Sequence, residues 1–207
     1  RERFSRFLPE LIPILEDFLA LEKRQVVVCG AGTSEYVGLC VEGLLRRRWK
    51  LPVCTASTTQ LVVRPQDVFV PGHAALLVSI ARSGSSPESL GTVRIAERLE
   101  EPVFHLLMTS NPQGELARAA SGLKRSRSLI LDERTNDRGL AMTGAFTNLV
   151  LAGQMLAYAF AFGQYEAVFP GIVEGGRALL ERAPEPIAAL CRRDFDRAMF
   201  LGDGALY

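Results

Sequence analysis

Short uninterrupted apolar runs alternate along this chain with longer stretches in which apolar residues recur at helical spacing. Runs at residues 25–29, 74–81 and 103–108 are the clearest, and each precedes a helical stretch. Continuous apolar runs are typical of strands buried on both faces, and their alternation with helices indicates a parallel sheet covered by helices. The sequence therefore predicts an α/β fold, a three-layer α-β-α sandwich of the flavodoxin or Rossmann type with a five-stranded parallel sheet.

The remaining elements follow from the same periodicity and from helix start and stop signals. Weaker runs at residues 52–56 and 128–131 complete the five strands. Helices are predicted at residues 10–23, 34–48, 87–101, 115–120, 143–162, 168–182 and 186–194. We predict a leading helix within residues 1–22 and one α/β domain over residues 23–194.

Composition excludes several classes of protein. The 207 residues carry 24 Lys and Arg against 23 Asp and Glu, a formal net charge of +1. That balance provides no field suited to nucleic acid or to an anionic membrane, so neither partner is expected. Residues 139–165 lack charge but contain Thr, Asn and Gln, which favours a buried helix over a membrane span.

The cysteines and the N-terminal residues bear on the compartment. No CxxC pair occurs among the four cysteines, which predicts buried free thiols in a reducing cytoplasm; they are Cys29, Cys40, Cys54 and Cys191. Glu16 and Asp17 interrupt the N-terminal apolar pattern, so no secretory signal is expected.

An apolar run that enters Gly-x-Gly occurs twice, at residues 26–32 and 198–204. A strand and turn that restart near the end of the chain predict a second copy of the α/β unit, begun by residues 195–207. Chance similarity in a terminal strand is the alternative.

Two glycine- and hydroxyl-rich loops follow predicted strands and open predicted helices. The first is the segment GAGTS at residues 30–34, and the second is SGSS at residues 83–86. Glycines admit a ligand close to the backbone, and amides at a helix start point towards an anion, so such loops favour phosphate. Glu35 stands where a dinucleotide fingerprint has its third glycine, and no GKS or GKT occurs, so no nucleotide cofactor is expected. Serine-capped glycine turns are the alternative.

Three segments together resemble a known family. They are VVVCGAGTS at 26–34, SIARSGSSPES at 79–89 and TNDRGLAMTGAFTN at 135–148. In this order and spacing they are similar to the sugar isomerase (SIS) domain family, and most similar to its AgaS-type branch of tagatose-6-phosphate ketose/aldose isomerases and galactosamine-6-phosphate deaminases. That branch has two tandem SIS domains. The resemblance covers roughly residues 20–207 and implies an N-terminal SIS domain followed by the start of a second.

The resemblance also implies roles for the loop residues. Phosphate would be held by Ser83 and Ser86 and by the amides of Gly84 and Ser85. The sugar would be contacted by Thr33 and Ser34, and Thr143 would complete the pocket. Ala81 stands where a related synthase has serine, and Arg82 would compensate for that missing donor. No metal site is predicted.

A sugar-phosphate isomerase needs a base near the substrate carbon and an acid near its oxygen. Glu35 is the candidate base or substrate contact, with a favourable position at a helix N-terminus as the alternative reading. His73 is expected in a surface loop and His105 in the core, and Asp137 would contact either the ligand or Arg138. In the family, the catalytic glutamate and a histidine usually come from the second domain or a neighbouring subunit.

The resulting expectation is the phosphosugar-binding SIS domain of a sugar-phosphate isomerase or of an amino-sugar-phosphate deaminase, which is a hydrolase. Its ligand would be a phosphorylated hexose or hexosamine, and the chain would form a homo-oligomer such as a dimer. Whether this chain is itself an enzyme stays open, because its catalytic set would be incomplete. The alternative is a non-catalytic sugar-phosphate sensor or binding module.

Overall fold

A five-stranded parallel sheet forms the centre of the molecule, in the order β2-β1-β3-β4-β5. The computed structural model describes residues 1–139, 141–199 and 201–202. The strands are β1 Arg24–Gly30, β2 Val53–Ser57, β3 Ala74–Ala81, β4 Val103–Thr109 and β5 Ser126–Ile130. All four pairings are parallel, which confirms the predicted α/β fold.

Helices cover both faces of this sheet. They are α1 Glu2–Leu19, α2 Thr33–Trp49, α3 Thr58–Val63, α4 Pro87–Ala96, α5 Glu115–Ser121, α6 Gly144–Ala157, α7 Phe162–Arg182 and α8 Pro184–Cys191. One face packs against α1, α2 and α6, and the other against α3, α4 and α5. The three layers are therefore those that the sequence predicts.

Side chains of the central strands alternate between the two faces. Val26, Val28 and Val78 point into the core beneath α1, α2 and α6. Val27 and Leu77 point into the core beneath α3 and α4. Because successive strand residues face opposite sides, a strand covered on both faces must be apolar throughout, which explains its continuous apolar runs.

Several predicted boundaries are wrong. The leading helix begins at Glu2 and ends at Leu19, because Phe4, Phe7 and Leu11 extend its apolar face through Pro9 and Pro13. Helix α3, which the periodicity did not predict, starts where the Ser57 hydroxyl accepts from the Gln60 amide. Strand β5 lies two residues earlier at its start than predicted.

The predicted single helix at 143–162 is also wrong. Helix α6 ends at Ala157, and a 3-10 turn at Ala159–Ala161 leads into α7. The turn sets Phe162 on the core, where its ring stacks on Phe4 with a centroid distance of 5.5 Å. One side of the uncharged segment is buried, where Ala145, Leu149 and Ala152 join the core beside α2, while Thr147, Asn148 and Phe160 are exposed.

Beyond its first two turns, α7 leaves the core. Apolar side chains are exposed along α7 and α8, among them Val168, Ile172, Leu179, Leu180, Ile187 and Leu190. Within the described residues no single helix has the length and apolar character to span a membrane; α6 and Ala159–Arg182 meet that test only as a pair, bent by 68°.

The predicted second unit falls largely outside these elements. Ala198, Met199, Leu201 and Gly202 lie in neither helix nor strand. Phe200 and residues 203–207 lie outside the described residues, so the start of a second domain stays a prediction.

All four thiols are free, but their burial differs from the prediction. Cys29 is buried, Cys40 and Cys54 are partly buried, and Cys191 is exposed on α8. The expectation of buried thiols is therefore wrong for Cys191.

Candidate functional site

The strand order reverses direction between β1 and β3, and both glycine and serine loops lie there. The chain passes from β1 outward to β2 and then returns across β1 to form β3. Gly30 at the end of β1 is paired with Ile80 near the end of β3. In open parallel sheets, ligands bind at such a reversal, outside the carboxyl ends of the strands. The topology therefore brings the two predicted loops together.

The first loop is a tight turn packed onto its own helix. A Cβ on Gly30 would lie 2.5 Å from the backbone carbon of Ser34, and Gly32 has φ +54°. The amides of Ser34 and Glu35 donate to the carbonyls of Ala31 and Gly32. Ser34 is only 4% exposed, and its hydroxyl faces the sulfur of Met142 at 3.9 Å. Thr33 and Glu35 are partly exposed beside it.

The second loop holds three consecutive carbonyls in one direction. The Thr109 hydroxyl donates to Arg82 O at 3.1 Å, and Asn111 Nδ2 donates to Ser83 O at 2.9 Å. The Leu116 amide donates to Gly84 O at 2.8 Å. All three donors come from the segment that links β4 to α5, so the carbonyls point towards β4.

The amides of the second loop consequently point the other way. In a planar trans peptide the carbonyl and the following N–H are antiparallel, so the amides of Ser83, Gly84 and Ser85 face away from β4. Because β1 flanks β3 on that side, they face the reversal point. None of the three donates to an acceptor in the described part of the chain. Gly84 has φ +63°, the left-handed conformation found in anion-binding nests.

Helix α4 starts directly after this loop. Ser86 occupies the N-cap position and Pro87 the first helical position, as predicted. The Ser86 hydroxyl does not bond the helix backbone; it lies 2.6 Å from the hydroxyl of buried Ser89. Ser89 therefore orients the Ser86 hydroxyl, and its own amide donates to Ser86 O at 3.1 Å.

A third loop precedes α6, and Asp137 organises it. The Asp137 carboxylate accepts from the amides of Ala145 at 2.8 Å, Thr143 at 3.0 Å and Gly144 at 3.2 Å. The Ala145 bond is the leading cause of a lowered pKa of Asp137. Thr143 is exposed, and its hydroxyl donates to the same carboxylate at 3.4 Å. Asp137 thus caps the N-terminus of α6.

Two side-chain contacts join the third loop to the others. Arg82 Nη1 donates to the carbonyl of Gly139 at 2.6 Å, and Met142 faces Ser34. We call this cluster the switch-point site: residues 30–34, 82–86, 137–139 and 141–143. It collects every predicted phosphate and sugar contact together with the N-termini of α2 and α4, which favour an anion, and that of α6, whose first amides already donate to Asp137.

The other titratable candidates have clearer structural roles. Glu35 lies in the first turn of α2, beside the first loop. His73 is at the amino end of β3, away from the site, with Nδ1 3.1 Å from Pro71 O. His105 is buried in β4 with Nε2 2.8 Å from Glu97 Oε1, and burial lowers its pKa.

Sequence reasoning missed the residues that support the loops from behind. Thr109, Asn111 and Gly114 follow β4 in the segment TSNPQG, whose turn residues carry no ligand signal by themselves. Ser89 could have been recognised from its spacing of three residues after Ser86.

A groove of about 1360 Å³ between α1, β5, α6 and α7 lies apart from the switch-point site and contains none of the predicted contacts. No group of three or more His, Cys, Asp or Glu that could hold a metal ion occurs in residues 1–139, 141–199 and 201–202.

No protein-family model matches the chain. Individual proteins do match it. The AgaS protein of Streptomyces coelicolor is 35% identical over 208 residues, covering 100% of this chain and 51% of that protein. A D-galactosamine-6-phosphate deaminase AgaS from a Shewanella species is 30% identical over 93% of this chain and 49% of its own length.

Solved structures agree with the sequence matches. A tagatose-6-phosphate ketose/aldose isomerase from Escherichia coli superimposes with a TM-score of 0.70 and 32% identity, covering 76% of this chain and 42% of its own. A Clostridium novyi protein assigned to the same class gives a TM-score of 0.76 and 32% identity, covering 83% of this chain and 43% of its own.

The parallel sheet and its loops at the reversal point define a phosphosugar-isomerase fold. The chain belongs to the SIS family, and its homologues are AgaS-type proteins. It spans about half the length of the relatives it matches.

Proposed function

We propose that this chain is the phosphosugar-binding SIS domain of an AgaS-type aldose/ketose isomerase or amino-sugar-phosphate deaminase. One observation carries the proposal: three consecutive amides of the loop after β3 face the reversal point, beside the hydroxyls of Ser83, Ser85 and Ser86. The names of the relatives support a phosphorylated hexose or hexosamine as the ligand.

The phosphate is assigned to this second loop. Oriented amides and hydroxyls satisfy a phosphate dianion without the rearrangement that flexible charged side chains would need. Arg82 contributes charge at the rim, where one of its five N–H groups is already committed to Gly139 O. The remaining donors are free to reach a phosphate oxygen through charge-assisted hydrogen bonds.

The sugar is assigned to the first and third loops. Thr33 is partly exposed and offers a hydroxyl and an amide at the start of α2. Ser34 is buried, so its contribution is through the shape of the turn and its Met142 contact. Thr143 presents an exposed hydroxyl that also holds Asp137. These groups bind sugar hydroxyls without selecting one stereoisomer.

The chemistry needs a base at the sugar carbon next to the carbonyl. In isomerisation the base takes a proton from C2 of the aldose and returns it to C1 through an enediol. In deamination the resulting imine is hydrolysed by water, with release of ammonia. We assign the base role in this chain to Glu35, at the edge of the first loop, and the remaining groups to a second SIS domain or a neighbouring subunit.

The wider assembly is proposed from the length of the relatives and from the exposed side chains of the last two helices. Residues 23–194 would form the first SIS domain and residues 195–207 would begin a second, since the relatives are about twice as long. The exposed apolar side chains of α7 and α8 support a homo-oligomer. The free cysteines support a reducing cytoplasm, and the balanced charge supports an assembly with neither nucleic acid nor membrane as partner. No cofactor is required by this chemistry.

Calorimetry with galactosamine 6-phosphate tests the binding proposal. The paired change Ser83→Ala with Ser86→Ala should weaken binding roughly a hundredfold, because each lost hydrogen bond to a charged group lowers the affinity about tenfold. Ser121→Ala, which removes an exposed hydroxyl bonded to Arg118 O, is the control. Unchanged affinity in the paired variant, with a wild-type melting temperature, would contradict the assignment of the phosphate to the second loop.

Assays of ammonia release and ketose formation then separate enzyme from sensor. Binding without either product is the expected result for this chain, because its catalytic set is incomplete. Turnover by the chain alone would contradict that part of the proposal and would assign catalysis to Glu35 or a neighbour, which Glu35→Gln would decide.

A further inference from the structure

Residues 109–116, which run from the end of β4 into α5, pack directly against the loop after β3. It supplies one donor to each of the carbonyls of Arg82, Ser83 and Gly84. A Cβ on Gly114 would lie 2.4 Å from Ser83 O and 3.3 Å from Gly84 Cα. The loop after β3 therefore rests on a backbone surface provided by residues 109–116.

Thr109 has two roles in this surface. It is fully buried at the end of β4, where its hydroxyl donates to Arg82 O at 3.1 Å. The same oxygen accepts from the Asn111 amide at 3.1 Å. The Thr109 hydroxyl thus bonds the Arg82 carbonyl and also holds Asn111, the residue that bonds the Ser83 carbonyl.

Asn111 is fixed at both ends of its amide side chain. Nδ2 donates to Ser83 O at 2.9 Å, and Oδ1 accepts from the Gln113 amide at 3.0 Å. With Thr109 holding its backbone, Asn111 has little freedom to release Ser83. The carbonyl directions, and with them the amide directions, are therefore fixed before any ligand arrives.

We propose that Thr109 and Asn111 are positioning residues that set the phosphate-binding amides of Ser83, Gly84 and Ser85. This inference rests on the proposed function, because it concerns the same loop. Neither side chain touches phosphate; each acts by turning a peptide plane. A loop held in its binding conformation loses less entropy on binding, so its affinity is higher than that of a loop that must be ordered.

The test uses the whole chain and three substitutions. Thr109→Val keeps the shape but removes the hydroxyl, Thr109→Ser keeps the hydroxyl but removes the methyl, and Asn111→Ala removes the donor to Ser83. Ser121→Ala is the control, because its hydroxyl makes the same kind of bond to a carbonyl at the end of α5. The readouts are affinity for galactosamine 6-phosphate, melting temperature, and hydrogen exchange, without ligand, of the Leu116 amide that donates to Gly84 O.

Thr109→Val and Asn111→Ala should each weaken binding roughly three- to tenfold and speed exchange of the Leu116 amide, because the Gly84 carbonyl that accepts from it is held less firmly. Thr109→Ser should bind like wild type even where it melts lower, because a buried cavity affects stability rather than the carbonyl bond. A purely structural Thr109 would give the reverse order, with Ser worse than Val.

The outcomes distinguish the inference from the proposed function. If wild type binds and both Val and Ala variants bind equally well, or leave exchange of the Leu116 amide unchanged, the positioning role is overturned and the proposed function survives. If wild type binds neither the phosphosugar nor free phosphate, the proposed function and the positioning role are both overturned.

Discussion

The two loops of the switch-point site keep their shapes by different means. The loop after β1 is held by itself: Gly30 packs against the first turn of α2, and the backbone hydrogen bonds of the loop run between residues 31 and 35. The loop after β3 is held by another part of the chain, through Thr109, Asn111 and Leu116. One loop is a local structure and the other is a tertiary one.

Because of this difference, substitutions in the first loop should mainly lower stability, and substitutions around the second loop should mainly weaken binding. A local turn that starts a core helix cannot move without disturbing β1 and α2, so damage there should reach the whole fold. A loop resting on a distant segment can shift while its own strand stays in the sheet. The loop after β3 is therefore where binding can be changed with the least cost to stability.

Gly30→Ala should give the largest effect and tests the first half of the comparison. The new Cβ would lie 2.5 to 2.7 Å from three backbone atoms of Ser34 and Glu35, none of which is a flexible side-chain end. We expect the free energy of unfolding to fall by about 3 kcal/mol, measured by urea denaturation. Gly175→Ala in α7 meets no atom within 4 Å and should stabilise slightly. Wild-type stability of Gly30→Ala would show that the first loop is not rigid.

Gly114→Ala tests the second half. Gly114 has φ −61° and ψ 148°, a conformation open to alanine, so the change is opposed by the approach of a Cβ to 2.4 Å from Ser83 O and 3.3 Å from Gly84 Cα. Affinity for galactosamine 6-phosphate should fall about tenfold, with a loss of only ~1 kcal/mol in stability. Gly122→Ala, whose Cβ would lie 3.6 Å from Ala119 O, is the matched control. A larger loss of stability than that of Gly30→Ala would reverse the comparison.

The same contrast explains what could be predicted from sequence. The strands and the first loop were predictable because an apolar run and a Gly-x-Gly turn are local signals. The start of α1 was not, since Pro9 and Pro13 suggest a later start and only the packing of Phe4 and Phe7 on the core overrides them. The break after Ala157 was missed because it depends on aromatic packing with α1.

The predicted site residues lie together because the strand order places their loops side by side. The residues that hold those loops in place were not predicted. Ser83 and Ser86 are visible in the motif, whereas Asn111 becomes relevant only once β4 lies beside β3. Asp137 was recognised as a polar loop residue, but its role as the cap of α6 depends on the path of the backbone. Contacts distant in sequence were the part that periodicity could not supply.

Asp137→Asn tests whether a change in the third loop lowers stability, as expected for the first loop, or leaves it nearly unchanged, as expected for the second. Hydrogen bonds from Ala145 and its neighbours lower the pKa of Asp137, so the folded state favours the charged carboxylate. This stabilisation is present above the ordinary aspartate pKa and is lost as pH falls through the lowered one. The melting temperature of the variant should be lower than that of wild type at neutral pH, and the difference should vanish on acidification. Asp67→Asn, at an exposed 3.9 Å ion pair, should show little difference at any pH.

Thiol labelling gives the smallest perturbation and compares the loops directly. Cys29 precedes Gly30 in β1, and burial, partly offset by a hydrogen bond with Ser79, raises its pKa to about 12. In the native protein an alkylating reagent should modify exposed Cys191 rapidly and Cys29 only through opening of the sheet. Because the loop after β1 is part of that structure, Gly30→Ala should speed Cys29 labelling, measured by peptide mass spectrometry. Gly114→Ala should leave it unchanged; equal acceleration by both would mean that the two loops share one support.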